Sequence, residues 1–428
     1  MNVNGHLAAI RFGYGLRLGE PPPADPIAWL DDQLGAKDPL PPSPDLRARL
    51  HAREADRTPP PEGMPASTSR RQVIISADLR GWAERRLSGH QPFRERLVDF
   101  WMNHFSITRR NAIAGLLVGS LEREAIRPHV TGRFADMLLA VSLHPAMLVY
   151  LDNTASAGPR SAAGQRRARG LNENLAREML ELHTVSRTGG YMQEDVQELA
   201  RILTGHGVNL TGPEAGYVFR PDAHEPGPKR LLGHEVPEGP EGITTALRIL
   251  ARHPATTHHL ALRLATHLCA DDPPPDLVRA VADALGEEGD LGAAARALVR
   301  HPAAWEAEPG KFRRPVDHVL AACRALGQMD PDLALRGMAG LFQPPWMAPQ
   351  PDGWPDRAEA WMSPEALLRR VEWSYALAGR AAGVDLAGAV EAALGPLARA
   401  ATVAEMRRAG SVRDALTLLL SSPEFLRR

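Results

Sequence analysis

The chain has 428 residues, more than one compact core usually holds. Its 50 Lys and Arg nearly cancel its 51 Asp and Glu, so a net charge of −1 gives no long-range pull toward nucleic acid or an acidic membrane surface. The 44% hydrophobic and 24% charged residues are those of an ordinary globular protein, and no stretch approaches the roughly 20 apolar residues of a membrane-spanning helix.

Residues Met1 to Gly19 carry no apolar run behind a basic start, so no signal peptide is expected. A cytoplasmic location follows; a periplasmic or secreted one applies if the N-terminus is processed. Ala, Leu and Arg dominate, aromatics are only 5%, and β-branched alternation is scarce. These features predict a mainly α protein, an irregular multi-helix assembly with a small β-hairpin insertion. The domain reading is a proline-broken N-terminal segment, 1–66, packed on a single helical domain, 67–428. Sub-lobes 67–240 and 241–428 are a further expectation.

Asp25-Pro26 starts a predicted helix over Ile27 to Leu34, which Gly35 stops. Pro39 to Pro44 and Pro59 to Pro65 read as irregular connectors. Helical patterns follow from Ser67 to Gly89, from Pro92 through Trp101, over Ile113 to Arg127 and over Gly132 to Val141. His144-Pro145, His253-Pro254, His301-Pro302, Ser363-Pro364 and Ser422-Pro423 each stand between helical patterns. Proline fits the first helical position and breaks the preceding helix, so these dipeptides predict sharp corners with the histidines as caps. Thr154 to Gly170 contains Arg160, Arg166, Arg167 and Arg169 without an acid, which predicts a mobile basic loop. Within Gly207 to Pro240, Tyr217-Val218-Phe219 and Arg230-Leu231-Leu232 suggest a hairpin. Gln343 to Trp361 is Pro- and Trp-rich, its tryptophans read as pinning an irregular segment to the helical body. Cys269 and Cys323 sit in apolar helical contexts and read as buried thiols; without CxxC there is no cysteine zinc or redox motif.

The densest polar information is the run Gly170 to His183. Leu171, Leu175, Met179 and Leu182 make an apolar stripe at helical spacing, while Asn174, Arg177, Glu178 and Glu181 face away. A second helix, Gln193 to Thr204, turns Val196, Leu199, Ala200 and Leu203 inward and presents Asp195, Glu198 and Arg201. Together they predict a helical hairpin with acids, arginines and amides on one side.

Asn172-Glu173-Asn174, Arg177-Glu178, Glu181-Leu182-His183-Thr184, Gly190-Tyr191, Asp195-Val196, Ala200-Arg201 and Thr204-Gly205 resemble a bacterial family catalogued as domain of unknown function 1800. Matching pieces run along almost the whole chain: Arg11-Phe12-Gly13, Phe100 to Phe105, His144 to Leu148 with Tyr150-Leu151-Asp152, His224 with Lys229 and Leu232-Gly233, Pro344-Pro345, Gly353-Trp354, Trp361 and Ser422 to Phe425. The resemblance implies a helical fold and brings no established activity. It also implies a gene neighbour similar to phosphatase-like and sulfatase-like proteins, and many relatives look exported. His206 and Met192 depart from the pattern, where tryptophan and threonine are usual. The methionine weakens the expected N-cap of the second helix.

Glu173, Arg177 and Glu181 are spaced as an ion-pair ladder, but flanking amides add nothing to helix stability, which favours a site. No HExxH, P-loop, GxSxG or dinucleotide fingerprint names a reaction. Asn103-His104, among aromatics, reads as a hydrogen-bonded core pair. Two readings remain open. The first is an enzyme, a hydrolase or group-transfer catalyst acting on an anionic or sugar-like substrate over residues 171–235. Glu178, Glu181, His183 and Asp195 are its catalytic candidates. Asn172, Asn174, Arg177, Arg201, His224 and Lys229 are its ligand-binding candidates, with a divalent metal held by histidine and carboxylate as the candidate cofactor. The second is a non-catalytic scaffold or accessory of a phosphatase- or sulfatase-like partner, its polar residues forming an internal ion-pair network.

Overall fold

A computed structural model describes residues 3–38, 40–57, 69–167, 170–306 and 310–428, apart from the Arg167 side chain. The expected connector Pro59 to Pro65, the 66/67 boundary, Ser67, the side chain of Arg167 and all of Arg169 lie outside the described residues. The described chain is mainly helical, with two small antiparallel hairpins. No described helix is long and apolar enough to cross a membrane.

Helices begin where the sequence supplies a cap. Asp25 accepts the Ala28 N–H at 3.0 Å and Pro26 opens the helix Pro26–Gly35. At the corners His144, His253 and His301, Nδ1 accepts the N–H two residues on, at 3.1, 3.2 and 3.3 Å. These histidines are caps, as their His-Pro context predicts. The expected helix over 113–127 is divided: Ala114–Leu121 runs into a π turn, Glu122–Ile126, and a 3-10 turn, Arg127–His129. Pro128, which lacks an N–H and restricts the residue before it, prevents continuation.

The hairpin pairing differs from the expected one. Strand β1 (His206–Asn209) pairs with β2 (Gly216–Phe219), and β3 (Lys229–Leu231) pairs with β4 (His234–Val236). Each strand pairs with its neighbour in sequence, across six residues for β1–β2 and two for β3–β4, because a shorter loop costs less closure entropy. Leu232 and Gly233, at φ of +47° and +82°, form the tight β3–β4 turn.

Two clusters of buried apolar side chains make the interior. One runs from Phe12 to Ala304 and holds the aromatic layer of Phe93, Phe100, Trp101, Phe105 and Phe134. The other joins Ala9, Tyr14 and Leu16 with Trp82 and Leu87 and with residues 316–425. Buried ion pairs cross between them. Arg96 meets Asp317 at 2.9 Å, tying the helix Pro92–His104 to the helix Pro315–Ala325.

Candidate functional site

The central helix starts as Asn174–Glu178 and widens into a π turn, Met179–His183. Widened turns of this kind recur at functional sites because they reorient side chains. Asn172 Oδ1 accepts the Asn174 N–H at 2.9 Å, and its Nδ2 donates to the Asp152 carbonyl at 3.2 Å. Asn174 Nδ2 donates to the Leu151 carbonyl at 3.4 Å. The two amides therefore fasten this helix to the Tyr150-Leu151-Asp152 corner, where Asp152 takes a left-handed φ of +56°.

Most of the charged candidates are engaged locally. Glu173 accepts from Arg177 at 2.8 Å and from Gln193 at 2.8 Å. Glu181 pairs with Arg187, so Arg177 does not bridge to it. Asp195 Oδ2 accepts the Met192 N–H at 2.9 Å and Oδ1 accepts the Leu232 N–H at 2.8 Å. It satisfies the N–H of Met192, the reciprocal half of a capping box, and anchors the β3–β4 turn. Arg201 pairs with Glu198 at 2.5 Å, and Glu198 also accepts the Arg230 N–H at 3.0 Å.

His224 and Lys229 meet, both buried. The Gly239 N–H donates to His224 Nε2 at 3.1 Å, so Nδ1 carries the proton and donates to the Thr204 carbonyl at 2.7 Å. Lys229 Nζ lies 3.1 Å from the same Nε2 and donates to the Glu225 carbonyl. Burial lowers the proton affinity of both groups. Glu225 also holds the expected basic loop: Arg160 pairs with it at 2.6 Å, Arg166 pairs with Asp222 at 2.9 Å, and Ala162–Arg167 is a helix. The segment is thus structured over this span, because Glu225 and Asp222, some 60 residues on, neutralise arginines that have no acid nearby in sequence.

His183 is sealed inside, against Phe105 at 5.0 Å and His104 at 6.0 Å between ring centroids. Its carbonyl lies 3.1 Å from His104 Nε2, and His259 Nε2 lies 3.2 Å from the Leu182 carbonyl. Burial holds the imidazole of His183 neutral, pushing its pKa down to about 3. No group of three or more His, Cys, Asp or Glu among the described residues is placed to hold a metal ion.

Glu178 differs from every other candidate acid. It is half-buried and makes no hydrogen bond or ion pair among the described residues. Burial raises its pKa, and Glu181 and Asp352 push in the same direction, with Arg187 and Arg177 only partly opposing. Tyr150 belongs to the same group: burial raises its pKa, helped by Glu178 and Asp352. Asp352 arrives on the Pro- and Trp-rich segment. Asn103 clamps that segment, donating from Nδ2 to the Trp354 carbonyl at 2.9 Å and accepting the Trp354 N–H at 2.7 Å. Beside the clamp lies a small cavity of about 60 Å³ bordered by Trp82, Trp346, Trp354, Asn103, Ser106 and Asp99. The tryptophans therefore line a cavity as well as pinning the segment. Trp346 holds a φ of +55°, a costly conformation for a bulky residue of the kind that clusters at functional sites.

A family model described as a protein of unknown function, DUF1800, matches residues 7–427. The chain belongs to the DUF1800 family. No curated protein and no solved structure matches it.

In this DUF1800 chain, Asn103, Pro345 and Gly353-Trp354, far apart in sequence, meet at the clamp, and Asp352 beside it acts on the charges of Tyr150 and Glu178. Arg109 joins them, its N–H donating to the Trp346 carbonyl at 2.8 Å and its Nε to the Pro345 carbonyl at 3.2 Å. Glu178 is close enough to Asp352, beside the clamp, and to Glu181 to feel both charges, and the His183 carbonyl meets His104, next to Asn103. The structure leaves His224 and Lys229 in a separate network at Thr204, with Asp195 on the β3–β4 turn and Arg201 on Glu198. Asp352 and Tyr150 escaped the sequence reading as site residues, although Tyr150 and the neighbouring Gly353-Trp354 carried the family pattern. His259 left no signal at all.

Proposed function

We propose that this DUF1800 chain is an enzyme, a hydrolase or group-transfer catalyst acting on a sugar-like or anionic substrate, with Glu178 as its general acid and base. The observation that carries this reading is the state of that one carboxyl. It is unpaired among the described residues, half-buried and raised in pKa by burial and by Glu181 and Asp352. A carboxylic acid that keeps its proton toward neutral pH can donate it to a leaving group and retrieve it from water. The tryptophan cavity nearby, about 60 Å³, is smaller than a sugar ring and is not bordered by Glu178, so the reading rests on the carboxyl and not on that cavity.

The test is hydrolysis of a panel of aryl glycosides and aryl phosphate esters by purified protein. Glu178→Gln is expected to lower kcat by a factor of about 100 or more. Its melting temperature should stay within about 2 °C, since no partner of Glu178 is lost. The wild-type pH–rate profile should break above the ordinary carboxylate range. Activity that survives the substitution, or a panel with no turnover, removes the reading.

A second reading, the non-catalytic accessory, has its own support. Arg177, Glu181, Asp195 and Arg201 each find a partner within the chain. The helix Pro364–Arg380 also exposes Leu368, Val371 and Tyr375 in one row, near the exposed Phe342 ring that Arg369 covers at 4.6 Å. An exposed apolar row suits a protein partner, phosphatase- or sulfatase-like in this reading. Binding through that row would survive Glu178→Gln, which separates the two readings.

A further inference from the structure

A second cavity, of about 520 Å³, opens between residues 153–163 and the β1–β2 hairpin with its following turn. Its volume is that of a small-molecule site. None of the ten candidate residues borders it, and it is separate from the tryptophan cavity.

The polar wall has an unusual balance. Arg220 donates from one guanidinium nitrogen to the Val208 carbonyl and to Asn209 Oδ1, both at 3.0 Å and both neutral. No carboxylate among the described residues pairs with it. Asp222 shares the wall but is engaged by Arg166 at 2.9 Å. Asn153, 2% exposed, donates from Nδ2 to the carbonyls of Leu203 at 3.0 Å and His206 at 2.8 Å. Those bonds fix the amide's orientation and leave Oδ1 as a buried acceptor without a partner. His206, 1% exposed, uses Nδ1 with the Tyr217 hydroxyl at 2.8 Å, and its Nε2 is also buried and unpartnered. Both of these atoms are closed to water, so they sit behind the wall, and the polar residues left on it for a ligand include Arg220, Thr154 and Ser156.

We propose that this cavity binds a small polyhydroxylated anion, a sugar phosphate or a sugar acid, whose charge pairs with Arg220 and whose hydroxyls meet Thr154 and Ser156. Guanidinium matches the geometry of phosphate and carboxylate oxygens alike. Hydroxyls both donate and accept, so they match the side-chain hydroxyls of Thr154 and Ser156. Apolar Ala157, Ala163 and Val208 give the carbon face of such a ligand a dry surface.

The full chain is titrated with glucose 6-phosphate, gluconate and glucose, by calorimetry and by thermal shift. At least one anion is expected to bind and to raise the melting temperature, while glucose at the same concentration does not. Preference for the phosphate or the carboxylate identifies the head group. Arg220→Gln should weaken binding by a factor of about 10 or more. Because Arg220 also braces β1, Ala163→Leu is the companion variant. It narrows the cavity from the helix Ala162–Arg167, keeps every polar group, and should abolish the shift. The proposal is overturned by no response to either anion, by an equal response to glucose, or by unaltered binding in Ala163→Leu. Binding here does not involve Glu178, so failure of the proposed activity leaves this test intact.

Discussion

Asn103 grips the main chain of Trp354 through both ends of its amide, and Gly353 makes that grip feasible. Gly353 has a φ of +81°, and a Cβ there would stand 2.4 Å from the Asn103 carbonyl oxygen. Gly353→Ala is therefore expected to strain the turn and push Trp354 off the amide, costing about 1–3 kcal/mol. Urea denaturation measures the loss, and near-ultraviolet circular dichroism should report altered tryptophan packing. An unchanged denaturation midpoint would count against this account. At this scale the sequence was partly legible. Gly353-Trp354 and Asn103-His104 both stand out in the chain, and both asparagine and histidine prove internally hydrogen-bonded. Their association does not stand out, because 250 residues separate them and neither spacing nor periodicity reports so distant a contact. The same limit hid Asp352, whose only local distinction is a neighbouring glycine.

Helix starts and corners were the most legible elements, because a cap is chosen by residues within one turn. The His-Pro corners and Ser363-Pro364 follow directly from the fixed φ of proline and a side-chain acceptor before it. The helix Gln193–Leu203 shows local chemistry compensating only in part. Met192 offers no capping oxygen for the first turn, but Asp195 still reaches back to the Met192 N–H and keeps the other half of a capping box. Asp195 also holds the Leu232 N–H, so it secures two elements at once. Asp195→Ala should cost about 1–2 kcal/mol of unfolding free energy and loosen the β3–β4 turn. Hydrogen exchange at Leu232 would detect the second effect separately; protection there at the native level would refute it. The hairpin partners and the π turn were less legible. Short strands carry little periodic signal, and an inserted residue in a helix changes no residue type.

Across the whole molecule, burial governs the ionisable groups. His104 is held neutral far below its ordinary pKa of 6.5, chiefly by burial, with Arg263 and the neighbouring histidines adding to it. Burial likewise pushes His259 and His267 down to about 4, in His267 against the pull of Asp356. Unfolding frees each imidazole to take a proton near pH 6.5, while the folded form refuses one until about pH 4. Stability therefore falls as pH drops through that interval, by about 1.4 kcal/mol per pH unit for each such histidine. Glu122 adds a loss at lower pH. Burial alone would raise it, but Arg127, Arg85 and Arg86 overcome that and hold it at about 2 against an ordinary 4.5, so its contribution is lost as pH falls between those values. Denaturant midpoints at pH 7, 6 and 5 should decline steeply; equal midpoints would contradict the picture. The mainly helical class was legible from composition, but this interior was not. Sequence shows sixteen histidines and fifty basic residues without saying which are enclosed.

The two apolar clusters each contain one cysteine, Cys269 in the first and Cys323 in the second. Burial pushes their thiols up to about 11 and about 12, so neither sulfur is nucleophilic while its surroundings are closed. An alkylating reagent can reach each one only when its own side of the protein opens. Labelling rates at these two positions thus time the opening of each cluster independently, within a single unmodified molecule.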